Sequence, residues 1–261
     1  MRRRPACRAL VPLLGLCALL AAPAAGAAAP SHASGAWRPG VRSAIAYART
    51  RAGTVRFSVR EGRRVWGWRA TQTVASASVL KAMLLVAYLD DPRVRGRALG
   101  PGDYRLIVPM IRWSDNAAAT AVLGFVGARG VYSVALRARM RRFALEPVVW
   151  GDSRIDADDQ SRFFSAIDRR VVPRHRGTAM HLLATVVPRQ RWGIGRVAPR
   201  GWRLYFKGGW GTATGAVEHQ VALLQRGRRR VAVAVLTTDS PSHAYATQTL
   251  QGVFARLLRG L

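Results

Sequence analysis

The stretch ASVLKAMLLVAYLDD, residues 77 to 91, decides how this chain is read. Its apolar residues fall on nearly every side of a helix, the pattern of a segment buried most of the way round. Lys81 nevertheless stands inside it. Lysine occurs only at 81 and 207 among the 42 Lys and Arg residues of the 261-residue chain, so almost every other cation is written as Arg. Arg stays charged, whereas a desolvated Lys amine lowers its pKa and can accept a proton. Ser78 precedes Lys81 by three residues, which at helical pitch sets hydroxyl and amine on one face, one turn apart. In the first turn the positive end of the helix dipole also favours a developing alkoxide. The pair reads as a nucleophile with its own base. Alone, the same spacing equally describes a capping Ser and a Lys reaching out from a buried helix.

Working outward from that helix, VRSAIAYARTRAG from Val41 has helical spacing and stops at Gly53. Two alternating runs flanking Glu61, Gly62 and Arg63 read as strand, turn and strand. Residues 100 to 200 read as helices and loops, with NAAATAVLGFVGARG and VYSVALRARMRRF as separate helices. Strands return in WRLYFKGG, AVEHQVALLQ and RRVAVAVLTT, and YATQTLQGVFARLL closes the chain as a helix. Helix, two strands, a helical middle, three strands and a helix place both ends of the chain in one antiparallel sheet. The expected fold is therefore mixed α/β: five antiparallel strands in an α/β/α sandwich with an inserted all-helical subdomain. The sandwich is expected from about 40–90 and 200–261, the helical subdomain from about 91–199.

Residues 1–29 read as an export signal, with Arg2, Arg3, Arg4 and Arg8 before an apolar run shorter than a membrane span. Cleavage is expected after Ala24 or Ala27, and 30–39 form a connector to the folded body at 40–261. The mature protein is then secreted, without a membrane span, and is expected to be a monomer. Cys7 and Cys17 both lie in the signal, which leaves no disulfide and no cysteine-held metal. The formal net charge of +29 sets up a positive field, for which anionic cell-wall polymers or lipid heads are the candidate neighbours of an exported chain, a merely solvated basic surface being the more ordinary reading. Nucleic acid is disfavoured, because the arginines are dispersed and no zinc-finger or aromatic RNA-binding pattern accompanies them. His175 and His181 are off register for a shared metal face, and no phosphate loop or dinucleotide fingerprint occurs, so neither metal nor cofactor is expected.

Two further short motifs change the weight of Ser78 and Lys81. Ser114, Asp115 and Asn116 open a helix, and Lys207, Gly208 and Gly209 end the strand WRLYF. Each alone has an ordinary reading, as a helix cap and as a glycine turn. In that order, on those elements and using both lysines, they form one constellation. It resembles the penicillin-recognising serine hydrolases, the class A β-lactamases and their penicillin-binding relatives, over roughly residues 40 to 260.

The resemblance implies that Ser78 is acylated, with Lys81 its proton acceptor, directly or through water. It also implies that Ser114 passes a proton to the leaving nitrogen while Lys207 supports Ser114 and attracts a substrate carboxylate. Asn116 would bind the substrate amide, Asp115 would orient its loop, and the N–H groups of Ser78 and Trp210 would form the oxyanion hole. Gly208, Gly209 and Thr212 would line the substrate. The sequence departs from the family at Gly208, where Thr or Ser is usual; Thr212 or Thr214 could supply the hydroxyl. In the family a loop Glu followed by Leu and Asn aims the water that hydrolyses the acyl-enzyme. Here Glu146 is the candidate, but Val149 and Trp150 stand where Leu and Asn would be, and Asp152 and Asp156 are weaker ones. The expected substrates are β-lactams. The alternatives are a D-Ala-D-Ala carboxypeptidase or penicillin-binding protein with poor deacylation, and a non-catalytic basic wall-binding protein on the same fold.

Overall fold

The computed structural model describes residues 37–211 and 216–261. The expected signal and most of the connector, and Thr212 and Thr214, lie outside the described residues. From Trp37 onward the chain forms one compact unit. It begins with α1 (Val41–Arg49), followed by the hairpin β1 (Thr54–Glu61) and β2 (Arg64–Trp68). A short strand β3 (Val74–Ala75) leads through a 3-10 turn, Ala77–Leu80, into α2 (Lys81–Asp90). The helical middle holds α3 (Pro101–Val108), a π-turn at Pro109–Trp113 and α4 (Asn116–Arg137). It continues through the two-residue strand β4 (Arg154–Ile155), α5 (Ala157–Phe164), α6 (Pro173–Ala184) and α7 (Ile194–Val197). The chain ends with β5 (Arg203–Gly211), β6 (Val217–Arg226), β7 (Arg229–Thr238) and α8 (His243–Leu257).

The main sheet has the order β2-β1-β7-β6-β5 and is antiparallel throughout, as expected. β7 shows why it is covered on both faces. Ala232, Ala234 and Leu236 join the core beneath α2, α4 and α5, while Val231, Val233 and Val235 join the core beneath α1 and α8. The unbroken apolar run from Val231 to Leu236 is the consequence of burial on both sides. β5 is the edge strand, so its outer backbone is available to border a cleft.

Three local features differ from the sequence reading. The two helices expected between 116 and 143 are one element broken at Gly127, whose φ of 63° lies outside helical space, and the element ends at Arg137. α5, expected in the helical insert, packs on β1 and β7. The pair β3–β4 carries too few residues to give an alternating pattern. α4 is long and apolar enough to cross a membrane by composition, but here Ala119, Val122 and Val126 belong to the core it shares with α2.

Candidate active site

Ser78 sits in the 3-10 turn that feeds α2, and its carbonyl accepts the backbone N–H of Lys81. The turn is entered through Ala77 at φ 43°, a left-handed conformation that a residue with a Cβ adopts only when its surroundings hold it. Those surroundings are visible on both sides. Ser76 N–H donates to Ser153 O at 2.7 Å, and His219 on β6 reaches Ala75 O through Nε2 at 2.9 Å. His219 Nδ1 accepts from Thr237 N–H, which fixes the neutral tautomer with the proton on Nε2. Burial lowers the pKa of His219 to about 4, so the imidazole stays uncharged.

Lys81 is fully buried. Its Nζ donates to Asn116 Oδ1 at 2.7 Å, to the carbonyl of Ser114, and to Ser114 Oγ at 3.3 Å. Burial lowers its pKa to about 7, with Asp115 pulling the other way. A lysine titrating near neutrality is a competent proton acceptor. Lys207, also fully buried on β5, donates to Ser114 Oγ at 2.9 Å and to Gly208 O at 2.8 Å. Its pKa is pushed well below the ordinary value by burial and, second, by Lys81. The Ser114 hydroxyl therefore accepts from both amines and keeps its own proton to give elsewhere.

Ser114 is held for that task by its backbone. It lies in the left-handed region at φ 61°, ending the π-turn, with Asp115 N–H on Pro109 O. Asp115 caps α4 by accepting from Ala118 N–H at 2.7 Å, which points Asn116 at Lys81. Gln190 Nε2 donates to Trp113 O, tying this corner to the segment before α7.

Gly209 explains how the sheet meets the turn. A Cβ built there would come within 2.8 Å of Val79 N and 2.9 Å of Ser78 N, so only glycine lets β5 pass this closely. Trp210 follows immediately, its Cα paired with Glu218. The structure thus brings together Ser78, Lys81, Ser114, Asn116, Lys207 and Gly209, with Gly208 and Trp210 beside them on β5. Thr212 lies outside the described residues.

Glu146 has no hydrogen bond or ion pair to this group among the described residues. It is exposed, and its Oε1 accepts from Val148 N–H at 3.1 Å. Asp156 caps α5 and Asp152 lies in the 3-10 turn Trp150–Asp152. What faces Lys81 from this loop is the ring of Trp150, its centroid 4.9 Å from Nζ, with Nε1 anchored on Thr120 Oγ1 of α4. The sequence reading missed this contact and the support from His219. The polar run Glu218-His219-Gln220 opening an otherwise apolar strand is the signal that could have flagged the latter. No group of three or more His, Asp, Glu or Cys able to hold a metal occurs among the described residues.

A serine beside a lysine of lowered pKa, with a second serine clamped by a second lysine, is equipped for acyl transfer. On this fold it defines a serine hydrolase of the class A β-lactamase type. The chain belongs to the beta-lactamase enzyme family, whose profile matches residues 104–259. Among solved structures it is similar to a β-lactamase from Sphaerobacter thermophilus, at 22% identity and a TM-score of 0.72 over 82% of this chain and 94% of that one. A reconstructed class A β-lactamase, the last common ancestor of Gram-negative bacteria, gives 18% identity and 0.70 over 84% and 97%. A β-lactamase from Desulfarculus baarsii gives 18% identity and 0.67 over 82% and 96%. At these identities the likeness carries the fold. No curated protein matches the chain by sequence.

Proposed function

We propose that the protein is exported and opens β-lactam rings through an acyl-enzyme on Ser78. The observation that carries this reading is the convergence of both lysines on Ser114 Oγ, at 3.3 Å and 2.9 Å, beside the turn that bears Ser78. Neutral Lys81 takes the proton of Ser78 as Oγ bonds to the lactam carbonyl carbon. The oxyanion forms against the N–H groups of Ser78 and Trp210. As the C–N bond breaks, the Ser114 hydroxyl gives its proton to the leaving nitrogen and is reprotonated from Lys81, so the proton lost by Ser78 ends on the product amine. Asn116 positions the amide of the acyl group.

Release of the acyl group is slow in this reading. The Trp150 indole packs against Lys81 from this loop, and Glu146 is exposed with its Oε1 on Val148 N–H. Among the described residues, the base beside this turn that can deprotonate water is Lys81 itself. The same arrangement supports a second reading, acylation by peptides ending in D-Ala-D-Ala with poor turnover. A chromogenic cephalosporin and a D-Ala-D-Ala wall peptide, each assayed with the wild-type chain and Ser78→Ala, separate the two. A burst of one product equivalent followed by slow turnover of the cephalosporin supports the first, and faster release of D-Ala supports the second. Turnover surviving Ser78→Ala excludes both.

A further inference from the structure

A second concave site lies at the end of the sheet where β1 stops and β7 starts, and β1 is three strands away from the β5 that carries Lys207. The cavity has a volume of about 310 Å³ and is bordered by Arg60 on β1, by Arg169 beyond α5, and by Arg228, Arg229 and Arg230 at the β6–β7 turn. Five guanidinium groups around one small space repel one another unless anions stand between them.

The carboxylates within reach are already committed. Asp158 accepts from Arg60 Nη2 at 2.8 Å and from Arg162 Nη2 at 2.5 Å. Asp168 holds both Nη groups of Arg230, at 2.9 and 2.6 Å. Glu61 is shared between Arg229 Nε, at 2.7 Å, and Arg64 Nη2. After these pairs, Arg60 Nη1, both Nη groups of Arg229 and the whole guanidinium groups of Arg169 and Arg228 have no hydrogen-bond partner among the described residues. The rest of the chain brings no carboxylate either, because residues 1–36 and 212–215 contain no Asp or Glu. Arg229 is also held in place, its Cζ lying 5.6 Å from the ring centroid of Trp37 and 5.5 Å from that of Trp202. The free donors are thus presented from three segments, two of them anchored by ion pairs and stacking.

A tetrahedral phosphate offers oxygens in more than one plane to guanidinium groups that arrive from β1, from the segment after α5 and from the β6–β7 turn, whereas a carboxylate offers two in one plane. No aromatic side chain lines the cavity among the described residues, so a nucleobase finds no platform on which to stack. We propose that this pocket binds the phosphate groups of a flexible, base-free phosphodiester chain, the chemistry of a polyol-phosphate polymer of the cell wall. The site is separate from Ser78 and does not depend on its chemistry.

The test is isothermal titration calorimetry of the full chain at constant ionic strength, with a glycerol-phosphate hexamer, a hexathymidylate and a hexaglutamate as probes. The glycerol-phosphate hexamer is expected to bind most tightly of the three and to be displaced by inorganic phosphate. Arg169→Gln and Arg228→Gln, both at exposed positions, are each expected to weaken it about 10-fold, the scale of one hydrogen bond to a charged group. Arg105→Gln and Arg129→Gln, equally exposed but outside the cavity, are expected to change it less than about 2-fold, because a screened distant charge contributes little. Acylation by a penicillin is expected to stay at the wild-type rate in all four variants. Equal losses in the two pairs of variants would make binding a property of overall charge and overturn the site. Hexaglutamate binding as tightly as the hexamer overturns the choice of phosphate, and hexathymidylate doing so overturns the base-free polymer. No binding of the hexamer overturns the whole proposal.

Discussion

Gly208 and Gly209 are neighbours on β5, yet a single methyl group should affect them in opposite ways. At Gly209 it would meet Val79 N at 2.8 Å and Ser78 N at 2.9 Å, distances that real Cβ atoms do not show, and both atoms are backbone of the turn that carries the nucleophile. Strand and turn must move apart. Overpacking of this kind costs roughly 1–3 kcal/mol of stability, a fall of several degrees in Tm for a chain of this size. The catalytic cost is larger. Separation of β5 from the turn moves Trp210 N–H away from Ser78 N–H, and loss of one oxyanion donor costs about 100- to 1000-fold, or about 2.7–4 kcal/mol of transition-state stabilisation. At Gly208 the same methyl group meets only Trp192 carbons at 3.5 Å, ordinary van der Waals contact. Gly209→Ala should thus remain folded by circular dichroism but acylate at least about 100-fold more slowly by intact-mass kinetics. Gly208→Ala should stay within a few-fold of wild type. Wild-type acylation by Gly209→Ala would refute the close approach of β5 to Ser78 as the source of the oxyanion site.

Acylation should rise with pH through about 7, because Lys81 must lose its proton to accept one, and Lys81→Met should abolish it at every pH; stopped-flow burst rates from pH 5 to 9 read both. Trp150→Ala admits water to Lys81, which relieves the burial that depresses it, so the midpoint of that profile should move upward and the acyl-enzyme should decay faster. Asp115→Ala removes the cap of α4 and should cost about 1 kcal/mol by chemical denaturation, while lowering the acylation midpoint because Asp115 favours charged Lys81. His219 binds its proton less readily folded, at about 4, than at its ordinary value of 6.5. The unfolded chain takes up that proton first as pH falls, so stability should decline from about pH 6.5 toward 4; His219→Gln should flatten that decline in a thermal-denaturation series.

The hairpin at Glu61–Gly62–Arg63, the buried helix after Ser78 and the three returning strands were legible because each is set by local spacing. Turn residues sit between alternating runs, and apolar residues recur at helical or strand period. The placement of Ser78 one turn before Lys81 was legible for the same reason, and the meeting of Ser114 with Lys207 became legible through the order of three motifs. What the sequence did not show depends on contacts between distant segments. Trp150 reaches Lys81 across 69 positions of chain and Trp192 covers Gly208 from another loop, and neither spacing has a period. Glu146 looked suitable by position, but its loop turns the carboxylate onto its own Val148 N–H. The break at Gly127 was half visible, since two helices were expected there, but not the continuation of the second on the same element.

The central claim is that Ser78 is the atom donor of a covalent adduct, primed by two buried lysines. The direct measurement is intact mass of the chain from residue 37 onward after mixing with a penicillin, followed by peptide mapping. The account predicts a gain of one whole penicillin mass, confined to the peptide containing Ser78, formed faster at pH 8 than at pH 6 and absent from Ser78→Ala. An unmodified mass at all times, or an adduct that maps to another residue, would contradict it.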